Sequence, residues 1–286
     1  MRLRPPRYIH ILFLVVCVLI LYGVFMRQEE GFQAEPSTNL FVISGNARTI
    51  MSCIDNCYAH LITRLFSNEP GARVSVYMHL KLTDPCAVIA NDTEHAYAPV
   101  DREAMLEKIE ELSNAYPEIK LHHTLLGAEE ITESELFSQV NDRSRFTGLL
   151  ADDKFLLRSM FIHYNYERCG ANIRRLEKEN GRSYDTYVYV RPDVLLTEDC
   201  ATIDTYPRDK ITISSKNKNP DNPDLSSTGL IYIIPKTLFS NFFVDIMNVY
   251  RTNTGYEGRL DSAEYVAASA FPYQVANISN PIILRN

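Results

Sequence analysis

Three groups of polar residues in this chain have the types and spacing needed for chemistry at a ligand. In the first, Arg191 and Asp193 follow an apolar run at residues 187–190, and the proline between them predicts the end of a strand, because proline lacks a ladder donor. Ligands of open α/β sheets bind beyond the carboxyl ends of strands, so Asp193 is predicted to face a bound ligand. Arg191 is expected to lower the pKa of Asp193. The alternative is a surface Arg–Asp pair that closes a turn.

The second group joins the first predicted strand to the first predicted helix and consists of Ser44, Gly45, Asn46 and Arg48. Glycine lets the backbone approach a ligand closely, and the start of a helix presents unpaired amide N–H groups. Arg48 is long enough to reach a diphosphate. The group therefore favours phosphate binding, although it matches neither a P-loop nor a GxGxxG fingerprint and similar corners are common.

The third group is Asp261 and Glu264, which are three residues apart and share one face at the start of a predicted helix. One could cap the helix while the other takes a proton from an acceptor hydroxyl. The alternative is that both are simple helix caps. For Asp193, two roles stay open: it could ligate Mn²⁺ or Mg²⁺ with help from substrate and water, or it could bind sugar hydroxyls without a metal.

Strand and helix patterns alternate from residue 39 onward, which predicts crossover units and a mostly parallel α/β sheet flanked by helices. The predicted strands are residues 40–44, 73–80, 120–126, 187–190, 211–214 and 230–234. The predicted helices are residues 49–66, a helix capped by Asp101, a long helix from Asp152 or Asp153 to near Gly181, and residues 236–250 and 260–270. The long helix is expected to bury a stripe made of Phe155, Ile162, Tyr166, Cys169, Ile173 and Leu176.

An uncharged apolar segment at residues 8–26 predicts a transmembrane helix. At about 1.5 Å per residue it is roughly 28 Å long, enough for a thin bilayer. Arginines precede it, so the positive-inside rule predicts a cytosolic tail at residues 1–7, a signal anchor at 8–26, a short stem at 27–38 and a lumenal domain at 39–286. A cleaved signal peptide is the alternative, although its apolar region is usually shorter.

Charge and cysteine content are consistent with an acidic lumenal domain. Four of the 29 basic residues and none of the 36 acidic residues lie in the first 27 positions, which argues against nucleic-acid binding by the rest. Five cysteines follow the apolar segment, and in an oxidising compartment an odd number leaves one thiol free or paired with another chain. Cys53 and Cys57 could pair or lie as two buried thiols. Asn91 and Asn277 begin glycosylation motifs.

Taken in order, four pieces of the chain resemble the GT-A-fold glycosyltransferases of the secretory pathway. They are FVISGNART at residues 41–49, VSVYMHL at 74–80, the helix from residue 154, and YDTYVYVRPDVLL at 184–196. More narrowly, they are similar to a group of these enzymes with SGxxRT after the first strand and YDxxVxxRPDV near mid-chain. The match covers most of residues 39–270, and its first and last motifs are the specific ones.

The resemblance implies a Rossmann-like GT-A domain that moves a sugar from a nucleotide-diphosphate donor to a glycan or glycoconjugate acceptor. Ser44, Gly45, Asn46, Arg48 and Arg191 would bind the donor. Asp193 would stand where a DxD motif holds Mn²⁺ or Mg²⁺, and Asp261 or Glu264 would lie near the acceptor. The chain departs from the pattern, because the DxD is reduced to Arg-Pro-Asp and Val74 and Ser75 replace an acidic strand start.

These observations together predict a type II membrane glycosyltransferase of the Golgi or endoplasmic reticulum. The main alternative is an anchored carbohydrate-binding or scaffolding module that keeps the fold without catalysis, which the missing second carboxylate favours. A lumenal sulfotransferase would also fit the anchor, but no P-loop-like basic motif follows the first strand.

Overall fold

The structure, a computed structural model, describes residues 36–83, 100–127, 131–214, 230–252, 272–276, 278 and 281–283. The chain from Ser37 onward forms one compact unit. Among the described helices, none combines the length and apolar character needed to cross a membrane. The apolar segment at residues 8–26 lies outside the described residues, as do Asn91 and Asn277.

Within the described residues, seven strands form one sheet in the order β3-β2-β1-β4-β7-β6-β8. Six of these strands run in the same direction and β7 runs opposite, so the predicted mostly parallel sheet is confirmed. A separate antiparallel pair joins β5 to β9. The strands are β1 Thr38–Asn46, β2 Arg73–Lys81, β3 Lys120–Leu126, β4 Thr186–Val190, β5 Val194–Leu196, β6 Ile211–Ser214, β7 Ile231–Pro235, β8 Tyr273–Ala276 and β9 Pro281–Ile283.

The described helices are α1 Ile50–Cys57, α2 Arg102–Ala115, α3 Glu133–Phe137, α4 Asp153–Asn180, α5 Phe239–Phe243 and α6 Asn248–Arg251. Two predicted helix starts are confirmed: the Asp101 side chain accepts the Glu103 N–H at the start of α2, and the Asp152 side chain caps α4. The long helix ends at Gly181, whose φ of 68° is the left-handed conformation of a common C-cap.

Two hydrophobic cores lie on opposite faces of the sheet. Leu40 and Val42 of β1 belong to the core that includes the buried side of α4, whereas Phe41 and Ile43 belong to the core that includes α1 and α2. This alternation follows from the two-residue period of a strand, and a mostly parallel sheet is stable only when both faces are covered. The result is a three-layer α/β/α domain.

Three helix predictions need correction. The stripe predicted for α4 is wrong at Phe155 and Ile162, whose surfaces are 42% and 37% exposed. The first half of α4 instead buries the adjacent pairs Leu156–Leu157 and Met160–Phe161, a wider face than one stripe. Residues 236–250 form short helical pieces rather than one helix, because the backbone leaves helical values at Val244. The first helix is also shorter than predicted, with a π-helical turn at Tyr58–Ile62 after α1.

The strand order creates a switch point beside β1. The chain passes from β1 outward to β2 and β3, then returns to place β4 on the other side of β1. Ligands of open α/β sheets bind at such a point, beyond the carboxyl ends of the strands. Ile43 pairs in register with Val190, so the residues after both strands emerge side by side.

Candidate functional site

The loops that follow β1 and β4 at the switch point are joined by one carboxylate, that of Asp193. Arg48 Nη2 donates to Asp193 Oδ2 over 2.9 Å, although the two residues are 145 positions apart. Arg191 donates from Nε to Oδ1 over 3.0 Å and from Nη2 to Oδ2 over 2.7 Å, which is a bidentate pairing. Arg48, Arg191 and Asp193 are called the arginine–aspartate cluster below. The structure therefore brings the first two predicted groups together.

Burial differs sharply between the members of the cluster. The Asp193 side chain is 4% exposed, whereas those of Arg48 and Arg191 are 16% and 35% exposed. Burial of the carboxyl acts to raise the pKa of Asp193, but the charge and hydrogen bonds of Arg191, followed by those of Arg48, outweigh it and lower the pKa. Asp193 is therefore a shielded anion, and the solvent-facing part of the cluster is guanidinium.

Gly45 allows the close approach that brings the two connections together. Its φ is 140°, a value that favours glycine, and a Cβ built on it would lie 3.0 Å from Pro192 Cδ. Pro192 stands between Arg191 and Asp193. A larger residue at position 45 would therefore press directly on the segment that carries both charged groups.

A second contact fixes the segment after Asp193 against α1. Asn56 Nδ2 donates to the carbonyl of Leu196 over 2.9 Å, and Asn56 Oδ1 accepts the Leu196 N–H over 2.6 Å. Because the same amide satisfies both backbone groups of one β5 residue, β5 is held at a defined distance from α1. No pattern of residues indicated this role, since an asparagine inside a predicted helix is usually on a solvated face.

Ser44 is supported from α4 and β4 by two residues that the sequence analysis did not single out. Asn165 Nδ2 donates to Ser44 Oγ over 2.7 Å, and the Tyr189 hydroxyl donates to the Ser44 carbonyl over 2.8 Å. Ser44 and Asn165 are buried, at 0% and 5% exposure. An asparagine in the middle of a long helix, where its propensity is poor, was the available signal. A donor-binding role for Ser44 stays a prediction.

Lys81 is a further cation at this end of the sheet that was not predicted. It ends β2, pairs in register with Asn46 and is 8% exposed. Its Nζ lies 5.7 Å from the centre of the Phe161 ring, within the range of a cation–π interaction. Its carbonyl accepts the Ala47 N–H over 2.8 Å, which ties the loop before α1 to the edge of β2.

The third predicted group is not placed by the structure. Asp261 and Glu264 lie outside the described residues, as do residues 217–228. Their roles stay predictions. Of the cysteines, Cys53 and Cys57 on α1 are two buried free thiols rather than a disulfide pair.

The described residues do not fit a divalent cation at Asp193. A carboxylate offers about four lone-pair sites, and three N–H groups already occupy its two oxygens. The guanidinium charges of Arg48 and Arg191, which are bonded to this carboxylate, also repel a cation. Asp199, the next aspartate along the chain, binds His60 and Arg64 instead. In the described part of the chain, no three His, Cys, Asp or Glu side chains form a group that could hold a metal.

Comparisons with known proteins found distant structural similarity. No protein-family model and no curated protein matches the chain. The apo structure of the bifunctional glycosyltransferase WbbM has a TM-score of 0.41 and 11% identity, covering 87% of this chain and 39% of that one. The glycosyltransferase GlyE of Streptococcus pneumoniae TIGR4 has a TM-score of 0.38 and 8% identity, covering 84% and 45%. The chain thus spans less than half of either protein, and similarity at this level carries no conclusion about its reaction.

Proposed function

We propose that this protein is a glycosyltransferase that moves a sugar from a nucleotide-diphosphate donor to a glycan or glycoconjugate acceptor. The observation that carries the proposal is the arginine–aspartate cluster at the switch point of the sheet. Arg48 comes from the SGxxRT motif and Arg191 with Asp193 from the RPDV motif, so the two motifs behind the family resemblance meet in one cluster. Two partly exposed guanidiniums suit the negative charge of a diphosphate.

In the proposed reaction, an oxygen of the acceptor forms a bond to the anomeric carbon of the donor sugar. The bond from that carbon to the diphosphate breaks, and its electron pair leaves with the diphosphate. Arg48 and Arg191 stabilise the charge that grows on this leaving group, which is electrostatic work that costs little reorganisation in a preorganised site. Glu264 or Asp261 accepts the proton of the acceptor hydroxyl, a role argued from sequence alone.

The cellular setting is part of the proposal and is argued from sequence. The uncharged segment at residues 8–26, preceded by arginines, supports a single-pass type II anchor. The acidic domain that follows, with its glycosylation motifs, is consistent with the lumen of the Golgi or endoplasmic reticulum. Protease protection of the full-length chain in intact microsomes tests this, because a cytosolic domain would be digested without detergent.

The test of the activity is a screen of the purified full-length chain against a panel of nucleotide sugars. Release of the nucleoside diphosphate from one donor is the expected result, and Arg48→Gln should reduce it by about 10²-fold, the typical effect of removing one such group. Arg208→Gln is the matched control, since Arg208 is 56% exposed and pairs with Glu69 rather than with Asp193. If a nucleotide binds but no donor is consumed, the non-catalytic module is the better account.

A further inference from the structure

The GT-A resemblance implies a divalent cation between the protein and the donor diphosphate, and the described residues do not provide a site for one. What they provide at the same place is a buried carboxylate held by two arginines. This disagreement points to a different way of holding the donor. It rests on the proposed function, since it concerns how the donor of that reaction is bound.

We infer that Arg48 and Arg191 bind the donor diphosphate directly, without a divalent cation, and that Asp193 is a positioning residue that holds the two guanidiniums in place. The geometry supports each part. Asp193 uses both of its oxygens on the arginines, through bonds of 2.7 Å, 2.9 Å and 3.0 Å. With its side chain 4% exposed, it presents almost no surface to a ligand.

The charge distribution supports an anionic ligand. Each guanidinium has five N–H donors in a planar fork, a geometry that matches phosphate oxygens. The Arg191 side chain keeps 35% of its surface exposed while both of its bonds to Asp193 are in place. A ligand that reaches the cluster therefore meets two cations whose orientation is already set by the buried anion between them.

The positions of the two arginines are independent in sequence but coupled in space. Arg48 follows β1 and Arg191 follows β4, and Gly45 packs against Pro192 to keep the two connections in contact. Neither arginine can shift far without breaking a bond to Asp193. Such preorganisation lowers the entropic cost of binding, because the side chains are ordered before the ligand arrives.

The experiment measures the affinity of the full-length chain for UDP, GDP, CDP and ADP by isothermal titration calorimetry, in EDTA and in MnCl₂. One diphosphate should bind in EDTA with an affinity within about threefold of that in Mn²⁺. Arg48→Gln and Arg191→Gln should each weaken that binding by about tenfold or more, as expected for a lost charge-assisted hydrogen bond. Arg208→Gln should leave it unchanged.

Asp193→Asn separates a positioning residue from a metal ligand. A positioning role predicts that this variant weakens diphosphate binding by the same factor in EDTA and in MnCl₂, whereas loss of a metal ligand would weaken it in MnCl₂ alone. Circular dichroism melts of each variant show that the affinity belongs to folded protein. Arg191→Lys, which keeps the charge but not the fork, serves if Arg191→Gln does not fold, and it should also bind more weakly.

The outcomes distinguish the inference from the proposed function. Binding that requires Mn²⁺ would overturn the cation-free mode and leave the glycosyltransferase proposal standing. Binding in EDTA that neither arginine variant weakens would overturn the assignment of the diphosphate site to the arginine–aspartate cluster. If no nucleoside diphosphate binds with or without Mn²⁺, both the inference and the proposed donor site are wrong.

Discussion

Replacing Gly45 by alanine tests whether the contact between the two loops of the switch point is needed for the site. The added Cβ would lie 3.0 Å from Pro192 Cδ and 3.4 Å from Pro192 Cγ, and the residue would have to keep a φ of 140°. Two separate costs therefore arise, one from backbone strain and one from overlap with a ring that has little freedom to move. Pro192 would be pushed away together with Arg191 and Asp193.

The expected magnitude follows from these two costs. A non-glycine residue in a sparsely populated positive-φ region costs about 1–3 kcal/mol. Forcing one extra carbon into a packed contact typically costs about 1–3 kcal/mol more. The free energy of unfolding should therefore fall by about 2–6 kcal/mol, which at about 2–4 °C per kcal/mol lowers the melting temperature by roughly 4–24 °C for a domain of this size. Diphosphate affinity should fall as well, since the displaced segment carries Arg191.

The assay is thermal unfolding of the full-length chain followed by circular dichroism, with two glycines as matched controls. Gly181→Ala has the same kind of strain, at φ 68°, but its Cβ would meet nothing within 4 Å, so it should cost about 1–2 kcal/mol and leave diphosphate affinity unchanged. Gly127→Ala also meets nothing within 4 Å and should be near neutral. If Gly45→Ala is no more destabilising than Gly181→Ala, the close packing against Pro192 does not matter.

Three further outcomes are expected. Asn165→Ala removes the bond to the buried Ser44 hydroxyl and should lower the free energy of unfolding by about 1–3 kcal/mol, measured by urea unfolding; an unchanged midpoint would contradict the contact. The Cys57 thiol is fully buried, which raises its pKa to about 12, so iodoacetamide should modify it only after unfolding; rapid native labelling seen by mass spectrometry would refute this. The pKa of Asp193 is lowered in the folded state, so its stabilising effect is present above about pH 4, its ordinary range, and is lost as pH falls through the folded value. Urea midpoints of the wild type should therefore drop at acid pH more steeply than those of Asp193→Asn, and parallel curves would contradict the shift.

Much of the fold was predictable because its signals are local. The apolar run of β4, the aspartate caps of α2 and α4 and the glycine at the end of α4 each act within a few residues, and the structure confirms all of them. The errors arose where the packing partner decides burial. Phe155 fits the helical period but faces solvent, because the first half of α4 packs on a broader surface than one stripe.

In the candidate site, too, local signals predicted some features, whereas others depended on packing partners. That Arg191 and Asp193 follow a buried strand could be read from the residues, and so could the phosphate-binding character of the loop that carries Arg48. The residues did not indicate that Asn165 supports Ser44 from a helix 121 residues away, because a mid-helix asparagine gives no indication of its partner. Nor did the residues show that Asp193 has both oxygens occupied, which changes its inferred role from metal ligand to positioning residue.

By itself, the order of residues predicted most of the strands, the starts of α2 and α4, and which charged groups follow the strands, because those outcomes depend on backbone propensity and hydrophobic period. Only the tertiary structure decided that Arg48 and Asp193 touch. That contact depends on placing β4 beside β1 rather than beside β3, a choice made by the burial of both sheet faces over the whole domain. The charge of the site is thus a property of the assembled fold, since a lone aspartate after a strand suits a cation and the same aspartate between two arginines suits an anion.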